Sequence, residues 1–163
     1  MRSYLISKHS KLIPTSESRE FHRKRNAEFS PDKFQSYTDW FYFIHIDHYM
    51  RWFHAISMVI GCSLYIISAY KLWIFGLKAD TVITFFTGMF FFYFLPLISH
   101  FIYDAGSAKA GPDKFLPTFI PVIHINFMTL TGTYDSWLRK FIEKYPFVTE
   151  AWKLEERTSN RLN

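Results

Sequence analysis

The stretch HIDHYMRWFH, residues 45–54, places three histidines at the entrance to a long apolar run. A second stretch, SHFIYD at residues 99–104, places another histidine near the end of the next run, with an acid one helical turn beyond it. Apolar segments need no imidazoles for packing, and ionisable groups within lipid-facing segments are costly. These two stretches decide both what kind of fold this is and where its chemistry would lie.

Three stretches lack Asp, Glu, Lys and Arg: residues 52–70, 81–103 and 115–134. A membrane-spanning helix needs about 20 predominantly apolar residues. The second stretch reaches that length outright. The first reaches it if Lys71 extends its ammonium to the interface. The third carries Pro117, Pro121, His124 and Asn126 and reads as a broken or re-entrant helix, tolerated only where protein covers its backbone. A soluble helical core is the alternative, but 163 residues could hardly cover three such helices in water. The expected fold is all-α: a helical integral membrane protein with two to four membrane-embedded helices plus interfacial amphipathic helices.

Charge is concentrated at the ends. Residues 1–39 carry eight Lys/Arg and residues 139–161 carry six, within a net charge of +5. No nucleic-acid motif accompanies them, so the basic ends read as flanks of membrane spans that face anionic lipid, and nucleic acid is not an expected partner. Two basic ends place both termini in the cytosol, which requires an even number of crossings. The first forty residues have no apolar core of a signal peptide. The single Cys62 cannot close an intramolecular disulfide.

Along the chain, residues 1–35 read as a basic, mobile leader with a short surface helix near 17–29. Residues 36–146 form the membrane-embedded helical domain with its metal site, and 147–163 a charged tail. SYTD at 36–39 is a helix-start capping box. It opens one interfacial helix, and SWLRKFIEKY at 136–145 forms the other, stopped by Pro146. Pro96 is expected to kink the second span, and Gly/Ala/Ser-rich residues 104–114 to form a loop. The Phe-rich run at 85–94 is packing or lipid-facing surface.

His9 and His22 read as solvated leader residues; the other five histidines lie between 45 and 124. His100 and Asp104, four apart, share one helix face. There the acid can join a metal or hold the imidazole's tautomer. His45 and His54 are nine apart, about 180° of rotation on an unbroken helix. One shared site therefore requires a break between them, near 47–51. His124 follows two prolines and should face protein. Mixed imidazole and carboxylate ligands suit Fe(II), with Zn²⁺ equally allowed by ligand type. No Gly-rich phosphate loop, CxxC or GxSxG is present, which argues against nucleotide, thiol-redox and serine-hydrolase chemistry.

These residues resemble a family of small membrane proteins that includes the yeast-type 2-hydroxy fatty acid dioxygenases. Its members carry two histidines with eight residues between them, as in HRNPVNRLLH. Here His45 and His54 hold that spacing, with Asp47 and Arg51 at its Asn and Arg positions. SHFIYD is similar to the family's GHFxFE, with His100 and Asp104 in place. Pro117 and His124 correspond to a later proline followed seven residues on by Asp in many bacterial members. The likeness covers residues 40–137; His48 and Met50 depart from the Pro and Asn of the first pattern.

The resemblance implies an Fe(II)- and O₂-dependent enzyme that shortens long-chain 2-hydroxy fatty acids by one carbon. It would reside in the endoplasmic reticulum membrane of a eukaryote, or in the inner membrane of a bacterium. His45, His54, His100 and His124 would bind iron, with Asp104 a ligand or the partner that orients His100. Arg51 would clamp the substrate carboxylate or anchor a lipid headgroup. Two other readings remain: a haem b electron-transfer protein with His54 and His100 as axial ligands, and a non-catalytic membrane scaffold.

Overall fold

A computed structural model describes residues 3–104 and 115–158 of the chain. The loop expected at 104–114 therefore lies, beyond Asp104, outside the described residues. The molecule is mostly helical, 77%. A strand, β1 (Ser3–Ser7), precedes α1 (Ser16–Glu28), a 3₁₀ turn at Pro31–Lys33 and α2 (Tyr37–Ile44). The long α3 (His48–Phe75) and α4 (Ala79–Met89) follow, and a π-helical turn (Phe90–Phe94) leads into α5 (Leu95–Tyr103). The chain ends with α6 (Phe115–Thr131), α7 (Tyr134–Lys144), α8 (Phe147–Trp152) and β2 (Leu154–Thr158).

Among the described residues, two helices are long and apolar enough to cross a membrane: His48–Phe75, and the continuous run Ala79–Tyr103. At 1.5 Å per residue they measure about 42 and 37 Å, more than the roughly 30 Å of a bilayer's hydrocarbon core. Gly76, at φ +70°, ends the first, and the chain turns straight back. The two pack closely. A Cβ on Gly61 would lie 2.9 Å from both Cβ and N of Phe92, and one on Gly88 3.2 Å from Leu64 Cβ.

Pro96 does not break the second helix. The π turn precedes it, with Leu95 N–H donating to Phe90 O, and Pro96 falls in the first turn of α5. Proline removes a rung of the helical ladder, and the wider turn adjoins that gap. The third apolar segment is likewise a continuous helix, with Pro121 inside it, where a break was expected. It runs antiparallel to α3: Asn126 Nδ2 lies 3.3 Å from Met58 Sδ, while Thr129 meets Arg51 near the start of α3.

Against one end of this hairpin sits an aromatic core. Trp40, Phe41, Phe43 and Ile44 of α2 pack with Leu138 and Phe141 of α7, Tyr145, and Val148 and Trp152 of α8. The capping box forms, with Ser36 Oγ accepting from Asp39 N–H. The expected interfacial helices α2 and α7 thus turn their apolar faces into protein, because each finds the other.

The leader and tail are not loose appendages. β1 and β2 pair antiparallel, Ser3 opposite Thr158 and Ser7 opposite Leu154. This places both ends of the described chain side by side. Thr15 caps α1, which buries Ser18, His22 and Arg25. Burial drives the Arg25 guanidinium down to about 9, and its Cζ lies 3.4 Å over the Trp152 ring. The expected mobile leader and solvated His22 are corrected on this point: β1 and α1 have a core to pack on.

Candidate metal centre

The nine-residue spacing of His45 and His54 becomes productive through a break. His45 is the residue just beyond α2, and α3 starts at His48. Asp47 makes that start: its Oδ1 accepts from Met50 N–H at 2.9 Å, capping the helix. Ser10 of the leader locks the junction, donating its hydroxyl to Asp47 Oδ2 and accepting from His48 N–H at 3.1 Å. The turn of chain between the helices brings His45 around to face His54.

Three imidazoles converge. The ring centres of His45 and His100 lie 4.9 Å apart, those of His54 and His100 5.1 Å, and those of His45 and His54 5.3 Å. One ligand nitrogen from each falls within 4.8 Å of the others, and all three residues are buried. They come from the end of α2, from α3 and from α5.

Hydrogen bonds fix which nitrogen of each ring is free. His45 Nδ1–H donates to Phe41 O at 2.7 Å, since a carbonyl can only accept. Its Nε2 is buried with no hydrogen-bond partner. His100 Nδ1–H donates to the Asp104 carboxylate at 2.9 Å, leaving Nε2 with a lone pair. Ser99 donates its hydroxyl to Pro96 O at 2.6 Å, so it accepts at 2.7 Å from His54 Nε2–H, and His54 keeps its lone pair on Nδ1. Each ring therefore holds one proton on a protein acceptor and one lone pair for another partner. Burial, reinforced by His100 and His54 beside it, holds His45 neutral far below its usual range. The donor set fits a first-row divalent cation: neutral nitrogens, fixed tautomers and one orphaned buried lone pair.

The remaining expected residues part company. Asp104 orients His100 and is not among the converging ligand atoms. His124 does not join the cluster: it is exposed on α6, with Nδ1 2.7 Å from the Tyr42 hydroxyl. The phase of α6 against α3 turns Asn126 and Thr129 inward and His124 outward. Arg51 does not reach a headgroup. It is buried, donates to Thr129 Oγ1 at 3.2 Å and lies 3.3 Å over the Tyr134 ring, tying α3 to α6 and α7.

Sequence reasoning passed over Ser10 and Ser99 and read His22 as solvated. Ser99 had a signal, adjoining His100 in an apolar run; the other two had none, lying in the leader. His22 Nδ1–H donates to Tyr103 O at 2.8 Å, and its Nε2 lies 4.0 Å from Asp47 Oδ2. Burial, with Arg25 adding to it, holds His22 down to about 3, and burial raises Asp47. Comparison with family models finds no match, and neither curated proteins nor solved structures yield one.

Proposed function

We propose that the protein is a membrane-embedded, iron(II)-dependent dioxygenase of long-chain 2-hydroxy fatty acids, with His45, His54 and His100 holding the metal. The observation that carries this reading is the convergence of three tautomer-fixed imidazoles from three separate elements. Embedding is supported by exposure: only 11% of the most apolar window of either long helix is buried, whereas a soluble core helix would bury most of it. The paired chain ends and basic flanks favour both termini in the cytosol.

Three nitrogens leave coordination positions open, an arrangement that zinc and iron(II) can both use, so the choice of iron(II) rests on the resemblance of the histidine patterns and not on the ligand set. When bound, the metal would supply Lewis acidity toward the substrate's carboxylate and hydroxyl, and redox chemistry toward O₂. The chain's own part is to hold protons away from the coordinating nitrogens, through Phe41 O, Ser99 and Asp104, and to keep water from the buried rings. The stoichiometry balances without a further reductant: a 2-hydroxy acid and one O₂ give the acid one carbon shorter, CO₂ and water. The spacings of His45 with His54 and of His100 with Asp104 are the support for this substrate class.

The haem reading loses support. Two axial histidines need a macrocycle between them, but the rings of His54 and His100 are 5.1 Å apart and His45 packs against both. Elemental analysis of detergent-purified protein is the first test, followed by 2-hydroxy fatty acid and O₂ under reducing conditions. Stoichiometric iron and a one-carbon-shorter product are expected. A folded preparation that holds and takes up no metal would leave the scaffold reading in its place.

A further inference from the structure

The expected interfacial helices α2 and α7 bury their apolar faces, whereas large apolar side chains are exposed outside the two long helices on α6, at Ile120 and Phe127, and in the connection from β1 to α1. Leu12 and Ile13, in the connection from β1 to α1, are 66% and 82% exposed. Three hydrogen bonds fix their neighbourhood on the end of α5. The Tyr103 hydroxyl donates to Leu12 O at 3.2 Å, Arg19 to Phe101 O at 3.3 Å, and His22 to Tyr103 O at 2.8 Å. Beside them Phe101, Ile102, Ile98 and Leu97 of α5 are exposed as well. The apolar surface of the second long helix thus continues sideways onto the leader. Lys8, Lys11 and Arg19 are exposed around the same connection.

We propose that Leu12 and Ile13 dock into the headgroup–acyl boundary of the bilayer beside the end of α5. This rests on the reading that α3 and Ala79–Tyr103 span the membrane. Two features identify lipid as the occupant. The patch is continuous with a helix surface that lipid would already cover, so the pair lies at the depth where the helix leaves the hydrocarbon. The surrounding cations match anionic headgroups, each lysine or arginine near such a surface adding to the attraction. The consequence concerns the metal centre: the same leader carries Ser10, which locks the break between His45 and His54, so leader docking and site assembly share one element.

Depth-dependent fluorescence quenching tests this in full-length protein reconstituted into phosphatidylcholine–phosphatidylserine vesicles. Native Cys62, exposed on α3, carries an environment-sensitive label as the reference for spanning. A second preparation carries Cys62→Ser with Ile13→Cys, and a third Cys62→Ser with Glu155→Cys as the aqueous reference. The label at Ile13 is expected to be quenched at least about twofold more by a nitroxide high on the lipid chain than by one near its end. It should also be shielded from aqueous iodide relative to the Glu155 site. Quenching of the Cys62 label by the deep nitroxide, with the Ile13 label as open to iodide as the Glu155 label, would overturn the docking alone. A Cys62 label untouched by either nitroxide would overturn the spanning reading and the docking with it.

Discussion

His100 donates its Nδ1 proton to Asp104 across 2.9 Å, one turn along the end of α5, and both residues are buried. The acid thereby fixes the imidazole that meets His45 and His54. Partners of this kind alter metal affinity by about 10–100-fold when removed. Asp104→Ala is expected to weaken metal binding by that factor, and Asp104→Asn, which keeps an acceptor, by less. Metal titration of the apoprotein in detergent reads both.

His45→Ala, His54→Ala and His100→Ala should each abolish metal retention while the protein still inserts. His124→Ala should retain metal at the level of the native chain, because its ring faces away and meets Tyr42. Elemental analysis of the four variants decides this. Loss of metal in the His124 variant, or its full retention in any of the other three, would contradict the site described.

Gly61 faces Phe92 with no room for a side chain. Overpacking of this kind costs about 1–3 kcal/mol. Gly61→Val is expected to lower the thermal midpoint in detergent markedly, and Gly88→Ala to do so by less, since its nearest neighbour would lie at 3.2 Å. Equal midpoints for Gly61→Val and the native protein would mean that the two long helices are further apart.

Folded His22 is held down to about 3 against an ordinary 6.5. Below 6.5 the unfolded chain therefore binds a proton that the folded one does not. The stabilisation is complete above 6.5 and is lost progressively as pH falls toward 3. Between pH 7 and pH 5 this amounts to about 2 kcal/mol. His22→Phe keeps a ring against Trp152 and should remove that share of the pH dependence. Unfolding followed at both pH values measures the difference.

The sequence by itself determined whatever depends on near neighbours. Helix length and apolarity follow from composition over about 20 residues, so the two long helices were legible. The capping box at Ser36, the shared face of His100 and Asp104, and the break between His45 and His54 were legible too, because each follows from the helical repeat.

Tertiary structure decided everything that depends on partners distant in sequence. The phase of α6 against α3 put His124 outside and Asn126 inside. Arg51 turned inward because Thr129 and Tyr134, some eighty residues on, offered it an acceptor and a ring. The leader and tail became ordered because β1 and β2, at opposite ends of the described chain, pair with each other. Amphipathic periodicity told α2 and α7 to bury one face, but not whether lipid or protein would cover it. Such a face is satisfied by any apolar partner, and only packing reveals which one it meets.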